Sequence, residues 1–330
     1  MRTFALLLVV LSCTVPTNEP VIQTVTGPVS PTTSDTWLTH EHLLVDFVGA
    51  DSITPDRWND DLVFHTMKPY LDSLTLFHVG YLVDATPNFL GRDVALLRRF
   101  SEATGIRILT NTGLYAAVGN KYIPDYAFSA TAEELANQWI DEFESGIDGT
   151  GIKPGFIKIS VNASDPLSEV DSKIVRAAAL THLQTGLTIG SHTGKAEGLY
   201  PQLAILKEVG VSPEAFIWIH AQNEDDPSHY LKAAELGCWI SLDGLGWEME
   251  KHVEKLVFAK ENGILDHILI SHDAGWYDPA KSEQAIVGYT AIFTELIPTL
   301  KKKGFSEDDI RMLLAENPVR AFGVEEKGSR

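Results

Sequence analysis

Apolar and polar positions along this chain change period again and again, alternating in twos over short stretches and recurring every three or four residues over longer ones. The short stretches are rich in β-branched and aromatic residues and predict strands at 37–43, 81–86, 107–112, 155–160, 187–192, 216–220, 239–243 and 267–273. The longer ones predict helices at 93–104, 132–145, 172–185, 200–209, 228–235 and 251–262. Two more helices, 284–302 and 306–322, close the pattern, with Ser306 as N-cap ahead of Glu307, Asp308 and Asp309. Strand and helix alternate throughout, which predicts an α/β protein of the (β/α)8 TIM-barrel type.

That pattern does not extend to the N-terminus. An apolar stretch from Phe4 to Leu11 follows Met1-Arg2-Thr3 and leads into Ser12-Cys13, too short for a bilayer-spanning helix of about 20 residues. It reads as an export signal. Val10-Leu11-Ser12-Cys13 resembles a bacterial lipobox, although a smaller residue is usual where Leu11 stands, so Cys13 is a candidate for lipid modification and plain secretion is the alternative. The expected division is an export signal of the lipoprotein type at 1–13, a tether and irregular lead-in at 14–35 with residues 25–28 docked on the domain, and a metallohydrolase barrel at 36–330. The protein is then exported, to a bacterial periplasm or a membrane-anchored state, and touches the membrane only through its N-terminus.

In the mature chain only Cys238 remains as a free cysteine, inside the apolar run Cys238-Trp239-Ile240, so no disulfide framework forms and the expected thiol is buried and inert. A net charge of −19 without a long basic run argues against nucleic acid or an anionic lipid surface as partner. A small-molecule substrate is the expected partner, and a homodimer is the assembly left open.

The candidate chemistry lies at the carboxyl ends of the predicted strands, where Asp84, Asn111, Lys158, His192, His220, Asp243 and Asp273 recur. Barrel enzymes hold their active sites on that face. In Thr39-His40-Glu41-His42 the two imidazoles share a face while Glu41 takes the other. With His192, His220 and Asp273 they form a set of neutral nitrogens and a carboxylate suited to zinc and its first-row neighbours. Alternation turns Lys158 inward as well, where an unpaired ammonium beside divalent cations would be strongly disfavoured.

These motifs resemble the phosphotriesterase family of the amidohydrolase superfamily. Thr39-His40-Glu41-His42, Gly155-Phe156-Ile157-Lys158-Ile159, Ser191-His192-Thr193, Ile219-His220 and Ser271-His272-Asp273 carry the resemblance, which runs from Gly27-Pro28 to Glu316-Asn317-Pro318. It implies two divalent metal ions, zinc being the first expectation. His40, His42 and Asp273 would hold one and His192 and His220 the other. Lys158, carboxylated by carbon dioxide, and a bridging hydroxide would lie between them. Asp273 is the candidate proton acceptor, and Tyr115 stands where lactonase-like members carry a tyrosine near the hydroxide. In phosphotriester-hydrolysing members an acidic residue follows the strand-six histidine by three positions and a histidine follows the strand-seven aspartate. This chain has Asn223 and Gly244 there. Quorum-sensing lactonases place an arginine at the second position, so Gly244 departs from them too.

Trp247, Trp276 and Tyr277 are candidates for the pocket rim, unless they only pack loops, and Lys195 is a candidate contact for an anionic group, unless it is a solvated loop residue. His65, His78, His182, His229, His252 and His267 read as surface or capping histidines. His272 reads as packing behind Asp273. The resulting expectation is a metal-dependent hydrolase of an ester or lactone. A phosphotriesterase or amidase of the same family, and a metal-bearing binding protein without turnover, are its rivals. Natively expressed protein should begin at Cys13 and partition into detergent; intact-mass spectrometry showing an unmodified N-terminus beyond Cys13 would support plain secretion instead.

Overall fold

The structure is a computed structural model that describes residues 20–324, so Cys13 lies outside the described residues. An antiparallel hairpin, β1 (Ile22–Thr24) and β2 (Gly27–Val29), comes first. Parallel staves follow as β3 (Thr36–Leu44), β4 (Val79–Asp84), the split pair β5 (Arg107–Leu109) and β6 (Asn111–Thr112), β7 (Phe156–Ser160), β8 (Ile189–His192), β9 (Phe216–Ile219), β10 (Trp239–Leu242) and β11 (Ile268–Ile270). A last short strand, β12 (Gly275–Tyr277), pairs with β3. The ladders run β11-β10-β9-β8-β7-β6 and β12-β3-β4-β5, and the continuous segment 107–112 joins them into a barrel.

Helices cover the outside: α1 (Asp60–Leu74), α2 (Val94–Thr104), α3 (Asp125–Ser129), α4 (Ala132–Ser145), α5 (Glu169–Thr185), α6 (Ala196–Val209), α7 (Ser228–Glu235), α8 (Met249–Glu261), α9 (Ile297–Lys302), α10 (Glu307–Arg311) and α11 (Asn317–Phe322). Local capping explains several boundaries. Thr131 and Glu134 make a reciprocal capping box at α4, and Ser306 with Asp309 makes another at α10.

The strand faces divide the core in two. Trp37, Tyr81, Leu109, Phe156, Ile217 and Leu269 fill the barrel interior with Ile22 and Phe322. Their alternating neighbours Leu38, Leu82, Ile108, Ile157, Ile240 and Ile268 pack with the helices. Trp37 stacks on Tyr81 with ring centroids 4.0 Å apart.

Several expectations need correction. Part of the segment expected as irregular lead-in is the β1–β2 hairpin, whose Ile22 is fully buried beneath the barrel, while Val25 N–H donates to Ile108 O at 2.9 Å. Residues 284–290 are not helical: Gly275 pairs with Val287, and Gln284 Oε1 accepts from Asp278 N–H, so the helical course begins near residue 291. Helix α6 starts at Ala196 rather than Tyr200 because Glu224 Oε2, 28 residues onward, accepts its first amide at 2.9 Å. Helix α1 was absent from the periodic reading, which Pro69 interrupts.

The interior stack sets a testable cost. Trp37→Ala should destabilise the fold by about 3–5 kcal/mol in urea denaturation. Trp37→Phe should cost far less, because the buried Trp37 Nε1 has no hydrogen-bond partner to lose.

Candidate active site

Strand β3 does not keep one alternation from end to end. Trp37 points into the barrel and Leu38 out, so regular alternation would turn Thr39 and Glu41 inward; a register shift between Leu38 and Glu41 resets the phase. His40 and His42 consequently face the centre, and Glu41 faces the neighbouring last stave. There its buried carboxylate accepts from Ser271 Oγ at 2.7 Å, His272 N at 3.0 Å, His272 Nδ1 at 2.7 Å and Ala274 N at 3.0 Å. His272 Nε2 accepts from Ile292 N–H at 3.0 Å, which leaves Nδ1 as the protonated nitrogen and ties the ring at both ends. The stretch 271–274 is thus fixed around Asp273, whose φ of 51° is left-handed. Such a conformation costs on the order of 1–3 kcal/mol and persists only where neighbours enforce it.

Asp273 meets the histidines at the mouth of the barrel. Its Oδ1 lies 3.1 Å from His42 Nε2 and 3.6 Å from His40 Nε2, and its Oδ2 lies 4.0 Å from His220 Nδ1. Although Asp273 Oδ1 is buried, it makes no hydrogen bond, and the ligand atoms of His40, His42 and Asp273 all fall within 4.8 Å of one another. Lone pairs converging without a shared proton suit a cation.

The other expected ligands close the ring. His192 and His220 have ring centroids 4.3 Å apart, and His40 and His220 5.1 Å. Lys158 lies with them on one cavity of about 70 Å³ and is buried. Burial pushes His40 down to about 4, and burial with His220 and Lys158 nearby holds His192 well below the usual range, so both rings stay neutral. Burial also lowers Lys158 to about 8.

Tyr115 reaches the ring from the loop after β6. Gly113, at φ 121°, lies so close to Lys158 O that a Cβ would stand 2.1 Å from it, which lets this loop run against β7. Tyr115 pairs with Ser160 in backbone, and its Oη lies 3.1 Å from His192 Nδ1. Burial raises its phenol above the usual value.

Orientation comes from residues to which sequence reasoning gave no role. Asp243 was visible as a polar strand end, yet the structure buries it completely beneath two histidines. Its Oδ1 accepts from His220 Nδ1 at 2.7 Å and from Gln222 Nε2 at 3.1 Å, while Ser241 Oγ donates to Oδ2 at 2.7 Å. Despite its own burial, His220 and His40 hold Asp243 well below the usual carboxylate range; Asp243 in turn outweighs burial and raises His220. His42 Nδ1 is held by Thr86 Oγ1 at 2.7 Å. Because a carboxylate only accepts, His220 Nδ1 carries the proton and its neutral ring turns Nε2 toward a ligand.

The rim candidates separate. Trp276 lines the small cavity, and Trp247, 62 % exposed, lines a wider one beside it. Tyr277 instead turns into the core, because β12 alternates and places it opposite Trp276. Lys195 stands outside both cavities as an exposed residue 3.8 Å from Asp225. His252 is a buried residue rather than a surface one: Nδ1 donates to Glu248 O at 2.8 Å and Nε2 accepts from Gly244 N–H at 3.1 Å. A Cβ on Gly244 would stand 2.7 Å from Gln222 Nε2, so Gln222 and His252 fill the space a side chain there would need. A separate cavity of about 360 Å³ near Trp58 and Phe89 holds none of these groups, and Arg92 on its wall is engaged by Glu142 and Asn111 O.

Comparison with known proteins fits this architecture. Residues 20–322 match the phosphotriesterase family. The phosphotriesterase homology protein of Escherichia coli (strain K12) is 29% identical over 289 residues, covering 86% of this chain and 97% of that protein. The aryldialkylphosphatase of Saccharolobus solfataricus is 30% identical over 300 residues, with 86% and 94% covered. A solved mutant of a PTE-like lactonase from Deinococcus radiodurans superposes with a TM-score of 0.82 at 27% identity, over 92% of this chain and 100% of that one. With the match spanning nearly every described residue, this chain belongs to the phosphotriesterase family of binuclear metal hydrolases.

Proposed function

We propose that this protein is an exported metal-dependent hydrolase of a carboxylic ester or lactone. The observation that carries the reading is the convergence of His40, His42, Lys158, His192, His220, Asp273 and Tyr115 on one cavity at the carboxyl ends of the staves. His40, His42 and Asp273 would hold one divalent cation, His192 and His220 a second, with carboxylated Lys158 between them. Zinc is the first choice, and manganese or cobalt could substitute. When bound, such a pair supplies a nucleophile from water at neutral pH and Lewis-acid polarisation of the bond under attack.

The chain's own groups do the rest. At about 8, Lys158 can reach the neutral amine form, which is the form that adds carbon dioxide and releases a proton. Asp273, held ionised by the histidines despite its burial, accepts the proton of the attacking water. Tyr115 Oη, beside His192, can donate to the oxygen that gains charge as a planar carbonyl becomes tetrahedral. Asn223 and Gly244 lack the acid and imidazole of a triester relay, which supports a carbonyl over a phosphoryl substrate.

Values of kcat/KM for matched aryl esters, simple lactones and aryl phosphotriesters test this reading. The carbonyl substrates should lead, with activity lost to chelator and restored by zinc and bicarbonate. A clear excess for the phosphotriester would reverse the bond preference, and metal-loaded protein that turns over none of them would point to a binding role. Asp243→Asn should weaken metal binding about 10–100-fold in metal titrations while circular dichroism stays unchanged, because the orienting carboxylate behind His220 is lost.

A further inference from the structure

Two of the polar residues at the strand ends, Asp84 and Asn111, line neither cavity at the site, although both are buried. Both act on the segment that leaves β4. The regular ladder between β4 and β5 stops at Val83 opposite Leu109, so the backbone groups beyond it need other partners. Asn111, two residues past Leu109, supplies two donors: its Nδ2 bonds Asp84 O at 3.1 Å and Thr86 O at 2.9 Å. The amides of the same segment are held by acceptors. Ala85 N–H donates to Glu41 O at 2.8 Å, and the Asp84 carboxylate accepts from Thr86 N–H at 3.1 Å and, across to β3, from Leu43 N–H at 3.0 Å. Asn111 is anchored in turn, because Arg92 Nη1 donates to its carbonyl at 2.7 Å.

This frame sets the direction of one hydroxyl. Thr86 Oγ1 lies 2.7 Å from His42 Nδ1, and Ala85 and Pro87 on either side of it line the small cavity. Unlike the Asp243 carboxylate behind His220, a hydroxyl has no charge with which to attract an imidazole, so it orients the ring only from the place its backbone gives it. That backbone lies past the end of β4. Without the two donors of Asn111, the buried carbonyls of Asp84 and Thr86 would be left unpaired, and the segment would shift to satisfy them. We propose that Asn111 is a positioning residue for the cation site of His40, His42 and Asp273, acting through Thr86 on the ring of His42. That role rests on the metal-dependent reading above and carries it one residue deeper than Thr86.

Zinc titrations of the full chain in bicarbonate buffer, followed by calorimetry, supply the test. Asn111→Leu is close in volume but removes the donors, and should weaken zinc at the His42 position roughly tenfold. Thr86→Val removes the hydroxyl and should act in the same direction. The double variant should lose no more than the larger single loss, because both changes act on one ring. In a His42→Ala background, which keeps His192, His220 and Lys158, Asn111→Leu should leave the remaining zinc affinity unchanged; a residue that merely stabilises the strand would lower it there as well. Should Asn111→Leu fail to fold, Asn111→Ser, with its shorter reach, takes its place in the cycle. Additive losses, an equal loss in the His42→Ala background, or no loss at all would overturn the role of Asn111 and leave the metal site standing. A parent chain that takes up no zinc would overturn the metal site and that role together.

Discussion

The buried Glu41 carboxylate joins the two ends of the barrel. No regular ladder links β11 to β3; the seam is crossed by Asp273 N–H to His40 O, His42 N–H to Ala274 O, Thr39 Oγ1 to Ile270 O, and the set of donors gathered by Glu41. A carboxylate so deep is tolerated only because each oxygen is satisfied. Removing its partners would leave an uncompensated charge where the barrel must close. The same bonds fix the backbone that aims Asp273, so fold closure and site geometry share one set of contacts.

A division of labour follows from this arrangement. Residues on the staves face the reaction, and residues one layer behind them fix their direction: Asp243 behind His220, Thr86 behind His42, Glu41 behind the Asp273 turn. The imidazoles sit on or at the ends of the staves, whereas Asn223, Asp225 and Trp247 around the wider cavity lie outside the strands. Changing the exposed Trp247 alters what can enter without disturbing the ring of imidazoles, whereas Gln222 reaches His220 through Asp243. Asn223 and Gly244 belong to this outer layer, and Gln222 and His252 pack against Gly244.

Much of this was legible in the sequence because burial leaves a period. The staves carry alternation, the helices carry capping residues, and polar side chains at strand ends mark one face of the barrel. What escaped depends on contacts between distant segments. The phase reset in β3 has no local signal, so the inward pair His40 and His42 is reached by a bulge that sequence alternation alone would not reveal. Helix α6 begins where Glu224 supplies a cap from another loop, and residues 284–290 give up a helix to pair with Gly275. Tyr277 and His252 were misjudged for a related reason: an aromatic or imidazole beside a candidate pocket looks the same in sequence whether it faces the cavity or the core.

The Glu41 seam also orders events in time. Its partners at Ser271, His272 and Ala274 lie some 230 residues further along the chain. During synthesis the first stave leaves the ribosome long before the last, and until then its carboxylate has water rather than protein as a partner. The opening quarter of the polypeptide can pair β3 with β4, but the carboxylate of Glu41 meets its protein partners only through a non-local contact with the last stave. A chain that stops short of β12 leaves this edge of β3 open to water.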